Sequence, residues 1–222
     1  MLQRTVESAL NAFEPEQLFV ATDDERIAKH MDEIGTKVIW TDPRHSNGTD
    51  RIAEAILKTP ALEKAEIVVN LQGDHPCTDA ATLKAAVAIL RKSPDAVMST
   101  VATPLTNSDD FFSPHVVKVV VDCHGNALYF SRSPLPYFKG GLPPGALQHI
   151  GLYCFRRAFL LEYSSLASSH LQKMEDLEQL KVLEQGYRIK VAIVEEKTIG
   201  VDTPNDLVKL IEHLEREKSY VC

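Results

Sequence analysis

The chain has 222 residues, a net charge of −7 and an apolar fraction of 44%. This length suits one large domain with a buried core, and the composition is ordinary for a soluble globular protein. The acidic balance without a basic tract argues against nucleic-acid binding, and no apolar run approaches the roughly 18 residues of a membrane-spanning helix.

Short apolar runs alternate with helical patterns in the first half of the chain. The run at 66–71 (EIVVNL) is largely apolar, as expected of a strand covered on both faces. Asp23 and Asp24 are expected to cap the helix that follows them. The predicted elements are a helix at 1–10, strands at 18–22, 37–40, 66–71 and 96–104, and helices at 23–35, 49–58 and 80–92. Their order predicts a mostly parallel α/β sheet with helices on both faces.

The second half is less regular. Residues 116–122 and 127–132 are predicted to form a hairpin, and residues 139–145 a loop. Further predicted elements are strands at 149–155 and 188–195 and helices at 156–163, 174–186 and 203–218, the last begun by Thr203 and Pro204. We therefore expect one domain spanning 1–222, with a mixed α+β elaboration in its C-terminal half.

The four cysteines are widely spaced and show no C-x-x-C pattern, which predicts reduced thiols of a cytoplasmic protein rather than disulfides or a zinc site. They are Cys77, Cys123, Cys154 and Cys222.

Polar stretches follow three predicted strands, at 21–24, 45–51 and 72–76, and Asp202 follows the last one. Ligands of open α/β sheets bind beyond the carboxyl ends of the strands. Asp74 and Asp202 at one sheet edge would repel each other unless a cation lay between them, and Mg²⁺ accepts such oxygen ligands together with substrate phosphates. The alternative is that 45–51 is only a helix-starting turn and Asp202 a helix-entry residue. The common glycine-rich nucleotide motifs are absent from the sequence.

Seven segments carry a resemblance to a known family. In chain order they are ATDDERI, HSNGTDR, VVNLQGDHP, VKVVVDCHGNALYFSRSPLP, HIGLYCFRRAFL, MEDLEQLKVLEQGYRI and GVDTPNDL. Over nearly the whole chain they resemble the 3-deoxy-manno-octulosonate cytidylyltransferase (CMP-Kdo synthetase) family. The resemblance implies a Rossmann-like nucleotide-diphosphosugar transferase fold. It also implies that CMP-Kdo and pyrophosphate are made from CTP and Kdo, an acidic sugar of lipopolysaccharide. The implied metal is Mg²⁺, and the implied oligomer is a homodimer.

The resemblance also implies roles for individual residues. Asp74 and Asp202 are the implied catalytic magnesium ligands. The cytidine side is implied to contain Ser46, Asn47, Gly48, Thr49, Arg51 and Gln72, and the sugar-acid side Arg132, His149, Tyr153, Glu178 and Gln179. A guanidinium can pair a carboxylate through two hydrogen bonds, so Arg132 is expected to bind the Kdo carboxylate.

Other interpretations of these residues stay open. Tyr153 could be a core residue, His149 a polar residue at a strand start, and Glu178 or Gln179 a solvated helix position. Lys118, between apolar strand residues, is expected to extend to solvent or to pair with an acid. Arg156 and Arg157 are interpreted as surface charges. For the whole protein, the alternatives are transfer to another sugar acid such as sialic acid, or a binding protein that keeps the fold without catalysis.

Two features depart from the family pattern. His75 stands where the family usually has glutamate after the metal aspartate, which predicts somewhat weaker Mg²⁺ binding. The family also begins with an apolar strand and a loop rich in arginine, serine, glycine and lysine, whereas residues 1–10 resemble the helix after that loop. We expect an N-terminally shortened chain that lacks a central strand and is poorly soluble and inactive.

Overall fold

The computed structural model describes residues 1–45 and 47–195, and residues 208, 210 and 211. The strands are β1 (Val20–Thr22), β2 (Val38–Trp40), β3 (Ile67–Asn70), β4 (Met98–Pro104), β5 (Lys118–Val121), β6 (Ala127–Ser131), β7 (Leu147–Arg156) and β8 (Ile189–Ile193). The helices are α1 (Leu2–Leu10), α2 (Glu25–Glu33), α3 (Gly48–Lys58), α4 (Ala80–Arg91), α5 (Ser108–Phe112), α6 (Arg157–Tyr163), α7 (His170–Glu175) and α8 (Leu180–Glu184). Most of the predicted helix at 203–218 lies outside the described residues; Val208, Leu210 and Ile211 are helical.

The strands form two sheets. β1 and β2 pair in parallel. The larger sheet has six strands in the order β6-β5-β7-β4-β8, with β3 on the same edge of β7 as β5. Because β7 is antiparallel to both β3 and β4 while β4 is parallel to β8, strands β3, β4 and β8 run in one direction. The α/β layering and the predicted hairpin of β5 and β6 are confirmed, and the C-terminal elaboration enters the sheet between β3 and β4.

Short polar side chains begin the helices that follow the strands. Asp24 accepts hydrogen bonds from the main-chain N–H groups of residues 26 and 27, as predicted for the start of α2. Asn47 caps α3, and Asp79 caps α4. These caps place each helix start directly after the preceding strand–loop segment, so that polar loops collect at one end of the sheet.

The core surrounds β7. On one side of the sheet Phe130, Tyr153 and Phe155 pack with Leu160 and Leu180, all nearly inaccessible to solvent. The opposite cluster is formed by aliphatic side chains of α4, β4 and β7, including Leu83, Leu90, Val101 and Leu152. β7 is therefore covered on both faces, as its nearly continuous apolar sequence requires.

A groove of about 1040 Å³ separates the two sheets. Ala21 of β1 and Val68 of β3 line its two sides, and side chains of α1, α3 and α4 line the rest, among them Ala9, Ile56 and Val87. Within the described part of the chain, β1 pairs only with β2, and β3 only with β7. Strand edges without a sheet partner on that side therefore border this apolar space.

The predictions for the helix at 174–186 and for the Arg156 side chain were wrong, and one helix was not predicted. The single helix expected at 174–186 is divided into α7 and α8, because Asp176 has a left-handed backbone (φ 53°) and ends α7. The short helix α5, capped by Asn107, was not predicted. Arg156 is not a free surface charge: its guanidinium donates to the carbonyl oxygens of Leu90 and Ser93 at the end of α4, at 3.0 and 2.9 Å.

Candidate active site

The loops after β1 and β2 are joined to α3 by one guanidinium. Arg51 forms an ion pair with Asp23 at 2.9 Å and donates to the Thr41 hydroxyl at 2.6 Å. Its partner Asp23 follows β1, and Thr41 follows β2. The two polar stretches at 21–24 and 45–51 therefore meet at the carboxyl ends of β1 and β2, which are parallel strands.

A buried hydrogen-bond chain connects α3, β3 and the segment before α8. The Thr49 hydroxyl donates to Glu178 Oε2 at 2.8 Å and accepts from Asn70 Nδ2 at 3.3 Å. Thr49 and Asn70 are almost fully buried. Burial raises the pKa of Glu178, and the hydrogen bond from Thr49 opposes this rise. Predicted residues of the nucleotide side and of the sugar-acid side thus touch directly.

Gln179 and Tyr153 form a second buried pair. The Tyr153 hydroxyl donates to Gln179 Oε1 at 3.0 Å, and burial raises the pKa of Tyr153 well above its ordinary value. Gln179 is 1% exposed, and its Nε2 has no hydrogen-bond partner in the described part of the chain. A buried amide donor without a partner is costly, which favours a ligand or water oxygen at this position.

His149 is buried in β7 beside these groups. Its Nε2 lies 2.9 Å from the Thr100 hydroxyl, which also lies 2.7 Å from the carbonyl oxygen of Leu152. The Thr100 hydroxyl has one proton, which it donates to the carbonyl oxygen of Leu152. His149 Nε2 therefore carries a hydrogen and donates it to the Thr100 hydroxyl. Burial, with a smaller contribution from His75, lowers the pKa of His149 to about 3, and the ring is therefore neutral at pH 7.

Asp74 lies in the turn after β3 and is half-buried. Its Oδ1 is inaccessible to solvent, has no hydrogen-bond partner in the described residues and lies 3.8 Å from His75 Nε2. A carboxylate oxygen without a donor fits a cation ligand. The second predicted ligand, Asp202, lies outside the described residues, and those residues contain no cluster of three or more groups able to hold a metal.

Arg132 directly follows β6 and is half-buried. Its guanidinium partners in the described chain are neutral carbonyl oxygens: those of Glu175, Pro114 and Asp176, at 2.9, 3.1 and 3.4 Å. Its positive charge is thus directed at main-chain dipoles rather than at a carboxylate. We found the predictions for Lys118 to be wrong: this side chain is fully buried, and its Nζ donates to three carbonyl oxygens.

The remaining predicted residues that the structure describes lie in or next to the loops at the same edge. Asn47 accepts from the Asp50 N–H at 2.8 Å, and Gly48 is the first residue of α3. Gln72 is half-buried, and its carbonyl accepts from the His75 N–H at 3.2 Å. Ser46 lies outside the described residues.

Sequence reasoning missed several residues of the site. Thr100 and Asn70 end up beneath it, and Glu175 beside Arg132. Asn70 within the largely apolar run 66–71 was the available signal, because a polar side chain in a buried strand needs a hydrogen-bond partner. No local pattern distinguished Glu175 from the neighbouring acids Asp176 and Glu178.

The fold and this edge define a nucleotidyltransferase domain. Residues 1–195 match the family described as Cytidylyltransferase. A solved structure of CMP:2-keto-3-deoxy-manno-octonic acid synthetase complexed with CTP superposes with a TM-score of 0.89 at 35% identity, covering 97% of this chain and 88% of that one. A 4-diphosphocytidyl-2C-methyl-D-erythritol synthase from Anaerococcus prevotii, with a TM-score of 0.62 at 15% identity, shares the fold alone.

Curated relatives narrow the assignment. The 3-deoxy-manno-octulosonate cytidylyltransferase of Protochlamydia amoebophila is 45% identical over 224 residues, covering 100% of this chain and 86% of the relative. That of Geotalea daltonii is 42% identical, covering 96% and 87%. The chain therefore belongs to the 3-deoxy-manno-octulosonate cytidylyltransferase family, as the sequence motifs predicted. In the described part of the chain, no helix is both long and apolar enough to cross a membrane.

Proposed function

We propose that this chain transfers the cytidylyl group of CTP to Kdo, producing CMP-Kdo and pyrophosphate for lipopolysaccharide synthesis. The observation that carries the proposal is the Thr49–Glu178 hydrogen bond of 2.8 Å. It joins residues expected on the nucleotide side to residues expected on the sugar-acid side, so that the two substrates would meet over β3. The names of the relatives and of the CTP-bound structure support the same reaction.

The nucleotide is proposed to bind over the loops that Arg51 joins. Arg51 is positioned by Asp23 and Thr41, and Asn47 caps α3. Gln72 follows β3 and would contact the ribose or the base. Donors fixed before binding reduce the entropic cost of ordering the triphosphate.

The sugar acid is proposed to bind between Arg132 and Gln179. The Arg132 guanidinium would attract the Kdo carboxylate, and the unpartnered Gln179 Nε2 would donate to an oxygen of the sugar. Neutral His149 and Tyr153 would line the acceptor side, with Tyr153 holding the Gln179 amide by its carbonyl oxygen. The 2-hydroxyl of Kdo would then attack the α-phosphorus of CTP in line, and pyrophosphate would leave from the opposite side.

Asp74 is proposed to hold Mg²⁺ together with Asp202. The donor-free Oδ1 of Asp74 supports this role. When bound, Mg²⁺ would neutralise phosphate charge and orient the phosphate oxygens. His75 removes one negative charge that the family usually has here, so we expect weaker Mg²⁺ binding than in relatives with glutamate. We also propose that the protein is a homodimer of the cytoplasm, with CTP and Kdo as its small-molecule partners.

Pyrophosphate release from CTP and Mg²⁺ tests the reaction. We expect release with Kdo and much less with sialic acid. Asp74→Asn should lower the rate by about 100-fold or more if the carboxylate holds the metal. Asp95→Asn is the matched control, since Asp95 forms a surface ion pair with Arg188.

Each outcome separates the alternatives. Pyrophosphate release with sialic acid but not with Kdo would contradict Kdo as the acceptor and favour sialic acid. Binding of CTP without release from any acceptor would contradict the enzyme proposal and favour a binding protein that retains the fold. Equal rates for Asp74→Asn and the parent would contradict the metal assignment alone.

A further inference from the structure

The main chain at Arg132 is held from both sides by opposite charges. Its N–H donates to Glu175 Oε2 at 2.9 Å, and its carbonyl oxygen accepts from Lys118 Nζ at 2.5 Å. Arg132 is the first residue after β6, where regular sheet pairing no longer fixes the backbone. These two hydrogen bonds therefore determine the direction in which its side chain leaves the chain.

Both carboxylate oxygens of Glu175 accept hydrogen bonds. Its other oxygen, Oε1, accepts from the Ser131 hydroxyl at 2.5 Å and from the Tyr129 hydroxyl at 3.3 Å. Burial by itself raises the pKa of Glu175, but the hydrogen bonds from Ser131, the Arg132 N–H and Tyr129 outweigh it and bring the pKa below its ordinary value. The carboxylate is therefore ionised at pH 7, when it accepts these three donors most strongly.

Lys118 secures the opposite side. It is fully buried, and its ammonium donates to the carbonyl oxygens of Ser113 and Val116, at 2.9 and 2.5 Å, besides that of Arg132. Burial lowers the pKa of Lys118, and the negative charge of Glu175 opposes this shift. A buried ammonium is expensive unless its donors are satisfied, so the carbonyl oxygens must stay in place around it.

The guanidinium itself carries no compensating carboxylate contact in the described chain. The Arg132 Nε donates to the main-chain oxygen of Glu175, and Nη2 to that of Asp176. Asp176 has a left-handed backbone conformation and lies between Glu175 and the pair Glu178 and Gln179. The same turn that holds Arg132 therefore leads directly to the two residues proposed to face the sugar acid.

We propose that Glu175 and Lys118 are positioning residues for Arg132, and that they aim its guanidinium at the carboxylate of the acidic sugar by holding its main chain. This inference rests on the proposed function of Arg132. Neither residue would touch a substrate. Their effect on sugar affinity would therefore pass entirely through the arginine.

A double-mutant cycle in sugar affinity tests this dependence. Kdo is titrated calorimetrically into protein saturated with a non-reacting CTP analogue. Glu175→Gln places an amide where the carboxylate accepts three donors, and should weaken Kdo binding by about tenfold. In an Arg132→Ala background the same substitution should change the affinity by less than about twofold. Lys118→Met provides a second variant with the same expected pattern. Glu162→Gln is the control. Glu162 lies on α6 and accepts a hydrogen bond from the Tyr187 hydroxyl, and its substitution should not change the affinity for Kdo.

A second measurement does not require sugar binding. In ¹⁵N-labelled protein, the Arg132 Nε–H resonance is assigned by its loss in Arg132→Lys, and its exchange with solvent is measured. We expect slow exchange in the parent and at least about tenfold faster exchange in Glu175→Gln, since the guanidinium then leaves its carbonyl partners more often. Unchanged exchange, or equal losses of affinity with and without Arg132, would overturn the positioning role. If the parent does not bind Kdo but the exchange rates change as expected, the positioning role stands and the proposed acceptor fails.

Discussion

Replacing His149 should remove a defined part of the acid sensitivity of this protein. In the folded chain His149 has a pKa of about 3, against an ordinary value of 6.5, because it is buried. As the pH falls below 6.5, the unfolded chain takes up a proton at this position and the folded chain does not, so the free energy of unfolding decreases. The stabilising effect is complete above about pH 7 and is lost progressively down to pH 3.

The size of this effect follows from the two pKa values. Between pH 7 and pH 5 the unfolded state gains about 2 kcal/mol from protonating one histidine with a pKa of 6.5 while the folded histidine stays neutral. His149→Gln keeps a nitrogen donor for Thr100 but does not titrate. The parent should therefore lose about 2 kcal/mol more than the variant over this interval.

Urea unfolding at pH 7 and pH 5 measures the difference. Other titrating groups contribute to the pH dependence of both proteins and cancel in the comparison. Equal losses in the parent and in His149→Gln would refute a buried neutral imidazole.

Two further substitutions test the buried hydrogen bonds of the site. Glu178→Gln should stabilise the protein more at pH 8 than at pH 4.5, since burial raises the pKa of Glu178, so that the folded state favours the protonated acid and loses stability as the pH rises through that pKa; a pH-independent difference in urea unfolding would contradict this. Tyr153→Phe leaves Gln179 Oε1 without its donor and should cost about 1–2 kcal/mol in urea unfolding, whereas Tyr137→Phe, at an 88% exposed tyrosine, should cost almost nothing.

The sequence by itself determined the local structure and the residue types of the site. The periodicity of apolar residues predicted β1 to β8 and most helices, because each pattern reports which face of an element is buried. Caps such as Asp24 act within three residues, and so could be recognised without the fold. The family motifs likewise predicted Thr49, Glu178 and Gln179 as site residues.

Only the tertiary structure decided how these parts meet. β7 pairs with both β3 and β4, although it follows both in the chain. No local pattern expresses this choice of strand partners. Thr49 and Glu178 are 129 residues apart in sequence and share one hydrogen bond. The burial of Lys118 depends on carbonyl oxygens supplied by two separate loops, which no pattern around the lysine could reveal. Local conformational preferences depend on neighbouring residues. The pairing of distant strands and the hydrogen bonding of buried charges depend instead on the whole chain.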